Sequence, residues 1–146
     1  MLVHIDTSVL VAAMVTSEEF HPVCFALLRH PDVSQVTGIY SHGFTETFST
    51  LTGGRRRVQM PADMVAEILQ QDYLPKLVPA SLDPAEILQA MSETRSRGVR
   101  GGGIFDYLHL VAARKAGASR VYTLNISNFR AFHRPGDPEI VHPSTM

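Results

Sequence analysis

Short apolar stretches with strand character alternate with helical segments along the whole chain, and this alternation constrains the fold more than any other feature. Residues 2–5 (Leu-Val-His-Ile) read as a strand. Thr7 and Ser8 are N-cap candidates for an apolar helix reaching about Val15. Ser17, followed by Glu18 and Glu19, reads as the start of a second helix running to about Leu28. Residues 33–37 read as a strand bounded by Asp32 and Gly38. Residues 39–52 read as a helix with Phe44, Phe48 and Leu51 on one face, ended by Gly53-Gly54. Pro61 suits a first helical position, with a helix to about Tyr73 closed by Pro75. Residues 76–79 are a candidate strand. Asp83-Pro84-Ala85 opens a helix ending near Gly98, and Gly101-Gly102-Gly103 reads as a flexible hinge. Residues 104–116 form the most apolar helix, stopped by Gly117. Residues 120–123 and 140–142 are the last candidate strands.

Such alternation predicts an α/β domain with a mainly parallel sheet covered on both faces. In sheets of this kind the functional site gathers at the carboxyl ends of the strands. At 146 residues the chain fits a single domain, and its 45% apolar content suffices for a core. The longest apolar run, residues 9–15, is too short to span a bilayer, and no secretory signal is visible. The lone Cys24 reads as a small core residue, which points to the cytoplasm. A net charge of −1 excludes a protein that coats nucleic acid with a broadly basic face. Any RNA contact must be local, and Arg55-Arg56-Arg57 is the one dense basic cluster, readable as a solvated loop or as a grip on RNA phosphates.

Three acids stand out. Asp6 directly follows the first strand; it could cap the next helix, but Thr7 and Ser8 could do that job and leave Asp6 another role. Glu46 points roughly opposite the Phe44/Phe48/Leu51 stripe, among small or hydroxylic neighbours, as on a helix bordering a cleft. Asp106 lies on a helix that is apolar on nearly every side, where an ionised carboxylate is costly unless it is paired or binds a cation. Its alternative is an acid favoured by the helix N-terminus. His109, three residues on, reads as a general base or as a packed core histidine. The histidines make no zinc pattern, so a hard, oxygen-ligated Mg2+ or Mn2+ suits this residue set better. A phosphatase using Asp6 as nucleophile lacks its Asp-x-Asp pair, since residue 8 is Ser.

The segment Ile5-Asp6-Thr7-Ser8-Val9-Leu10 resembles the opening motif of PIN domains. Thr45-Glu46-Thr47 resembles the segment carrying their second acid. Ile104-Phe105-Asp106-Tyr107-Leu108-His109 resembles their third-acid helix, and residues 121–129 resemble the strand and loop that close the site. The order, spacing and length match, and the nearest subgroup is the VapC-like toxins. The resemblance implies a three-layer α/β/α sandwich over residues 1–146. It implies that Asp6, Glu46 and Asp106 hold one or two Mg2+ (or Mn2+) ions that polarise a phosphodiester, acidify water and stabilise the leaving oxygen. It further implies an RNA substrate, a homodimer, and silencing by an antitoxin that supplies the DNA binding, so that this chain reads no DNA sequence and meets no membrane. The family usually has Asp before the Phe of the closing loop; here Asn128 stands there, with Asn125 three residues earlier. Ser8 and Thr123 would hydrogen-bond within the site, and Asp137 is the nearest other acid. The alternative reading is a PIN-like module that binds RNA or protein and cuts nothing.

Overall fold

The computed structural model describes residues 1–29, 31–54 and 59–145. Five parallel strands form one sheet in the order β3-β2-β1-β4-β5. They are β1 (Leu2–Ile5), β2 (Val36–Tyr40), β3 (Val78–Ala80), β4 (Arg120–Tyr122) and β5 (Glu139–Val141). β1 is central: Ile5 sits opposite Ile39 on one side and Tyr122 on the other. Strands buried on both faces read as apolar runs, and Val3, His4 and Ile5 are all buried. The chain leaves β1 towards β2 and β3, then returns to build β4 and β5 on its other side. The order therefore switches beside β1, where α/β sheets open a crevice at their carboxyl edge.

Helices cover both faces. One core cluster joins the sheet residues Val3, Ile5 and Ile39 to α1 (Thr7–Met14), α2 (His21–Arg29), α3 (His42–Thr52) and α4 (Ala62–Ile68). The other joins Tyr40, Val121 and Ile140 to α5 (Pro84–Arg97), α6 (Gly103–Ala116) and α7 (Ile126–Phe132). The result is the three-layer α/β/α arrangement. Cys24 is fully buried in the first cluster, and burial, with Asp6 nearby, pushes its thiol up to about 12. Among the described residues no helix is long and apolar enough to cross a membrane.

Several boundaries differ from the sequence reading, each for a physical reason. β2 begins at Val36, not residue 33, and runs through Gly38 to Tyr40. Gly38 is no terminator: it faces His4 in register, and a Cβ there would lie 2.6 Å from His4 Nε2. The glycine makes room for a buried imidazole. In consequence α3 starts at His42, and its buried line is Gly43, Thr47 and Leu51, with Phe44 half-buried and Phe48 partly exposed. α2 starts at His21 rather than Ser17. After α4 the backbone widens into a π-turn, Leu69–Tyr73, where the Tyr73 hydroxyl donates to Ala13 O at 3.2 Å. β3 begins two residues later than expected, at Val78, and ends one later, at Ala80, behind the short turn containing Pro75. α5 has the anticipated start, with Asp83 and Glu86 forming a reciprocal capping box, and Gly98 ends it in left-handed conformation. Residues 101–103 form a hydrogen-bonded turn into α6, not a hinge: Gly103 N–H donates to Arg100 O and Ile104 N–H to Gly101 O.

Candidate active site at the carboxyl edge of the sheet

Asp6 ends β1 and is the N-cap of α1. Its Oδ1 accepts from Val9 N–H at 3.3 Å and from the Ser8 hydroxyl at 2.6 Å; its Oδ2 accepts from the Thr123 hydroxyl at 2.6 Å. The expectation that Thr7 or Ser8 would cap α1 is therefore corrected: Asp6 does it, and Ser8 serves Asp6. Ser8 Oγ also accepts from Leu124 N–H at 3.0 Å, and Thr123 Oγ1 accepts from Asn125 N–H at 2.9 Å. These bonds tie the end of β1 to the loop after β4 across the switch point. Asp6 is 1% exposed. Burial pushes its carboxyl upward; His109 and the bonds from Ser8, Thr123 and Val9 pull it down, and burial prevails. An ionised carboxylate has about four acceptor sites. Three are used, which leaves one on Oδ2.

Asp106 occupies the first turn of α6, half-buried. Its carboxyl is also raised, first by burial and then by the charge of Asp6, with Glu46 adding in the same sense. His109 and a hydrogen bond from the Asn128 side chain oppose the shift. Asp106 thus has both Asp6 and Glu46 as repelling electrostatic neighbours. Glu46, on α3, is held by His109: Nε2 of the imidazole lies 2.8 Å from Oε1. Among the described residues, no three acid, histidine or cysteine side chains stand together as a ready-made metal cluster.

Asn128 lies in the first turn of α7, so the segment that closes the site is a helix rather than the loop anticipated. Asn125 precedes that helix; its carbonyl accepts from Asn128 and Phe129 N–H, and its side chain makes no cap bond. Asp137 is elsewhere: it pairs with Arg97 and Arg114 and accepts from Arg134 N–H. Burial raises its carboxyl, but these partners outweigh burial and hold it below its ordinary value. That removes it as a substitute ligand. Arg55, Arg56 and Arg57 lie outside the described residues. The residue underweighted by sequence reasoning is His109, because its contacts with Glu46 and with Thr7 span 63 and 102 positions along the chain.

No family model matches the chain, and no curated protein does. Solved structures do match. VapC20 of Mycobacterium tuberculosis, described as a sarcin-ricin loop cleaving toxin, is 19% identical over 93% of this chain and 99% of its own, with a TM-score of 0.67. VapBC2 of Rickettsia felis, bound to a DNA fragment from its promoter, is 16% identical over 97% of this chain and 98% of its own, at 0.66. VapBC-1 of nontypeable Haemophilus influenzae is 10% identical over 99% of both chains, at 0.69. At these identities the likeness is one of fold, and the fold of this chain is that of the VapC PIN domain.

Proposed function

We propose that this chain is a divalent-metal-dependent endoribonuclease, a single PIN-like domain over residues 1–146. In this reading it acts in the cytoplasm as a homodimeric toxin neutralised by a cognate antitoxin. The observation that carries the proposal is electrostatic. Asp6 and Asp106 are both raised by burial, Asp106 further by the charges of Asp6 and Glu46, and among the described residues neither aspartate pairs with a lysine or arginine. Buried like charges call for a cation or for protons. The donors are oxygens, which suits Mg2+ or Mn2+. The fold shared with toxins and toxin–antitoxin complexes supports the toxin role and the antitoxin partner.

Asp6 Oδ2, Asp106 and Glu46 Oε2 would hold the ion, with Asn128 beside Asp106. Bound there, a divalent ion polarises a phosphodiester and acidifies water. The chain's own part is to orient the acids. Ser8 and Thr123 fix the Asp6 carboxylate, Asn128 fixes Asp106, and His109 holds Glu46. Arg55, Arg56 and Arg57 would grip RNA phosphates, and an antitoxin would supply the DNA binding that a chain of net charge −1 does not. The second reading is a PIN-like binding module without cleavage. The neutral Asn128 and the lack of a ready-made ligand cluster among the described residues favour it. Purified protein incubated with single-stranded RNA separates the two: cleavage with Mg2+ that stops with EDTA supports the nuclease, and intact RNA under both conditions supports the binding module.

A further inference from the structure

His109 touches or shares every element that carries an acid of the site. It lies on α6, one turn after Asp106. Its Nε2 is 2.8 Å from Glu46 Oε1 on α3 and 3.2 Å from Thr7 Oγ1, the residue after Asp6 on α1. The side chain is 2% exposed, and its ring meets Tyr40 edge-on at 5.5 Å. His4 lies close enough for its pKa to feel His109, and a Cβ at Gly43 would come within 3.3 Å of the His109 ring. Tyr40 pins the ring from the sheet, while Gly43 leaves it room from α3.

The contact also requires a hydrogen on Nε2. A bare Nε2 would set its lone pair against those of the Glu46 carboxylate, so Nε2 carries the hydrogen and donates it to Oε1. Nδ1 faces the buried side, where it has no hydrogen-bond partner among the described residues.

Resting on the metal-site reading above, we infer that His109 is a positioning residue: its Nε2–H holds Glu46 so that Oε2 points to a divalent cation shared with Asp106. Such outer partners of ligands typically contribute about 10–100-fold in metal affinity or activity. The geometry here is one hydrogen bond to one ligand, which places His109 at the lower end.

The test is a calorimetric Mn2+ titration of the full chain at fixed pH. His109→Leu should weaken Mn2+ binding about tenfold. His109→Gln, whose amide nitrogen reaches the Nε2 position, should restore most of that loss; His109→Asn, which falls short of Glu46, should not. In a Glu46→Gln background the His109→Leu loss should nearly vanish, because the two side chains act as one unit. Equal affinity of wild type and His109→Leu overturns the inference, as does an undiminished loss in the Glu46→Gln background, which would mean that His109 acts through packing. If His109→Leu does not fold, the Gln and Asn variants carry the test, and equal affinities for those two overturn it. Absence of Mn2+ binding by wild type overturns the metal-site reading, and this inference with it.

Discussion

Replacing Thr123 with Val keeps the shape of the side chain and removes one hydroxyl that does two jobs. Thr123 Oγ1 donates to Asp6 Oδ2 at 2.6 Å and accepts from Asn125 N–H at 2.9 Å, and Thr123 is fully buried. A hydrogen bond to a charged group is worth about 1.5–3 kcal/mol, and the backbone bond about 1 kcal/mol or less where water can replace it. The expected loss is about 2–4 kcal/mol. In a chain of this size that lowers Tm by roughly 6–12 °C. The loss should depend on pH. The Asp6 carboxyl is already raised in the folded state, so its stabilising contribution is full below the unfolded value of 3.8 and declines as pH rises through the folded value. Thr123→Val removes one of the bonds that oppose the rise, so the folded value climbs further and the decline deepens. The gap between wild type and variant should therefore be widest at about pH 8 and narrow as pH falls towards 3.8. Thr123→Ser, which keeps the hydroxyl, should show a small and pH-independent loss. Thermal melts across this range, monitored by circular dichroism, provide the measurement. A Thr123→Val loss that is the same at every pH would refute the reasoning, because the hydroxyl would then not be serving an ionised Asp6.

Asp106→Asn should abolish RNA cleavage and leave the metal-free Tm equal or higher, since it removes a carboxylate raised by burial and by Asp6; a variant that unfolds would make Asp106 structural. Asn128→Asp should tighten Mn2+ binding roughly tenfold, about 1.4 kcal/mol, because it sets a charge beside Asp106; equal affinities by calorimetry would put residue 128 outside the metal's reach. Gly38→Ala should cost about 1–3 kcal/mol in denaturant unfolding, as its Cβ would press on the His4 ring, and a neutral result would contradict the packing described for β2. Changing Arg55, Arg56 and Arg57 to Ala should weaken RNA binding and flatten its salt dependence, and an unchanged salt slope would return that run to a solvated loop.

The alternation of strands and helices was legible because the inner strands β1 and β2 are largely buried and several helices carry strong end signals, such as Asp83 with Glu86 and Gly117. Less legible were features whose cause lies far away in sequence. Gly38 reads as a break and is a strand residue, because His4 occupies the space of its missing side chain. Phe44 and Phe48 look like the buried stripe of α3, yet the helix turns Gly43 and Thr47 inward so that its backbone can approach the sheet and His109. Asp6 read either as a helix cap or as free for another role, and the two prove compatible because a carboxylate has two oxygens. In the candidate site, the proximity of Asp6 and Glu46 to Asp106 was legible from their place after strands or beside apolar faces. The contact of His109 with Glu46 was not, since nothing local distinguishes a packed histidine from one that grips a carboxylate on another helix.

In the proposed function, Asp6, Asp106 and Glu46 form a site for a divalent cation at the carboxyl edge of the sheet. Anomalous X-ray diffraction from crystals of the purified chain soaked in Mn2+ tests it most directly. A manganese peak is expected within direct coordination distance, about 2.1–2.3 Å, of Asp106 and Asp6 Oδ2, with Glu46 reached directly or through one water. A peak bound only elsewhere, or none at a Mn2+ concentration that supports cleavage, would contradict it.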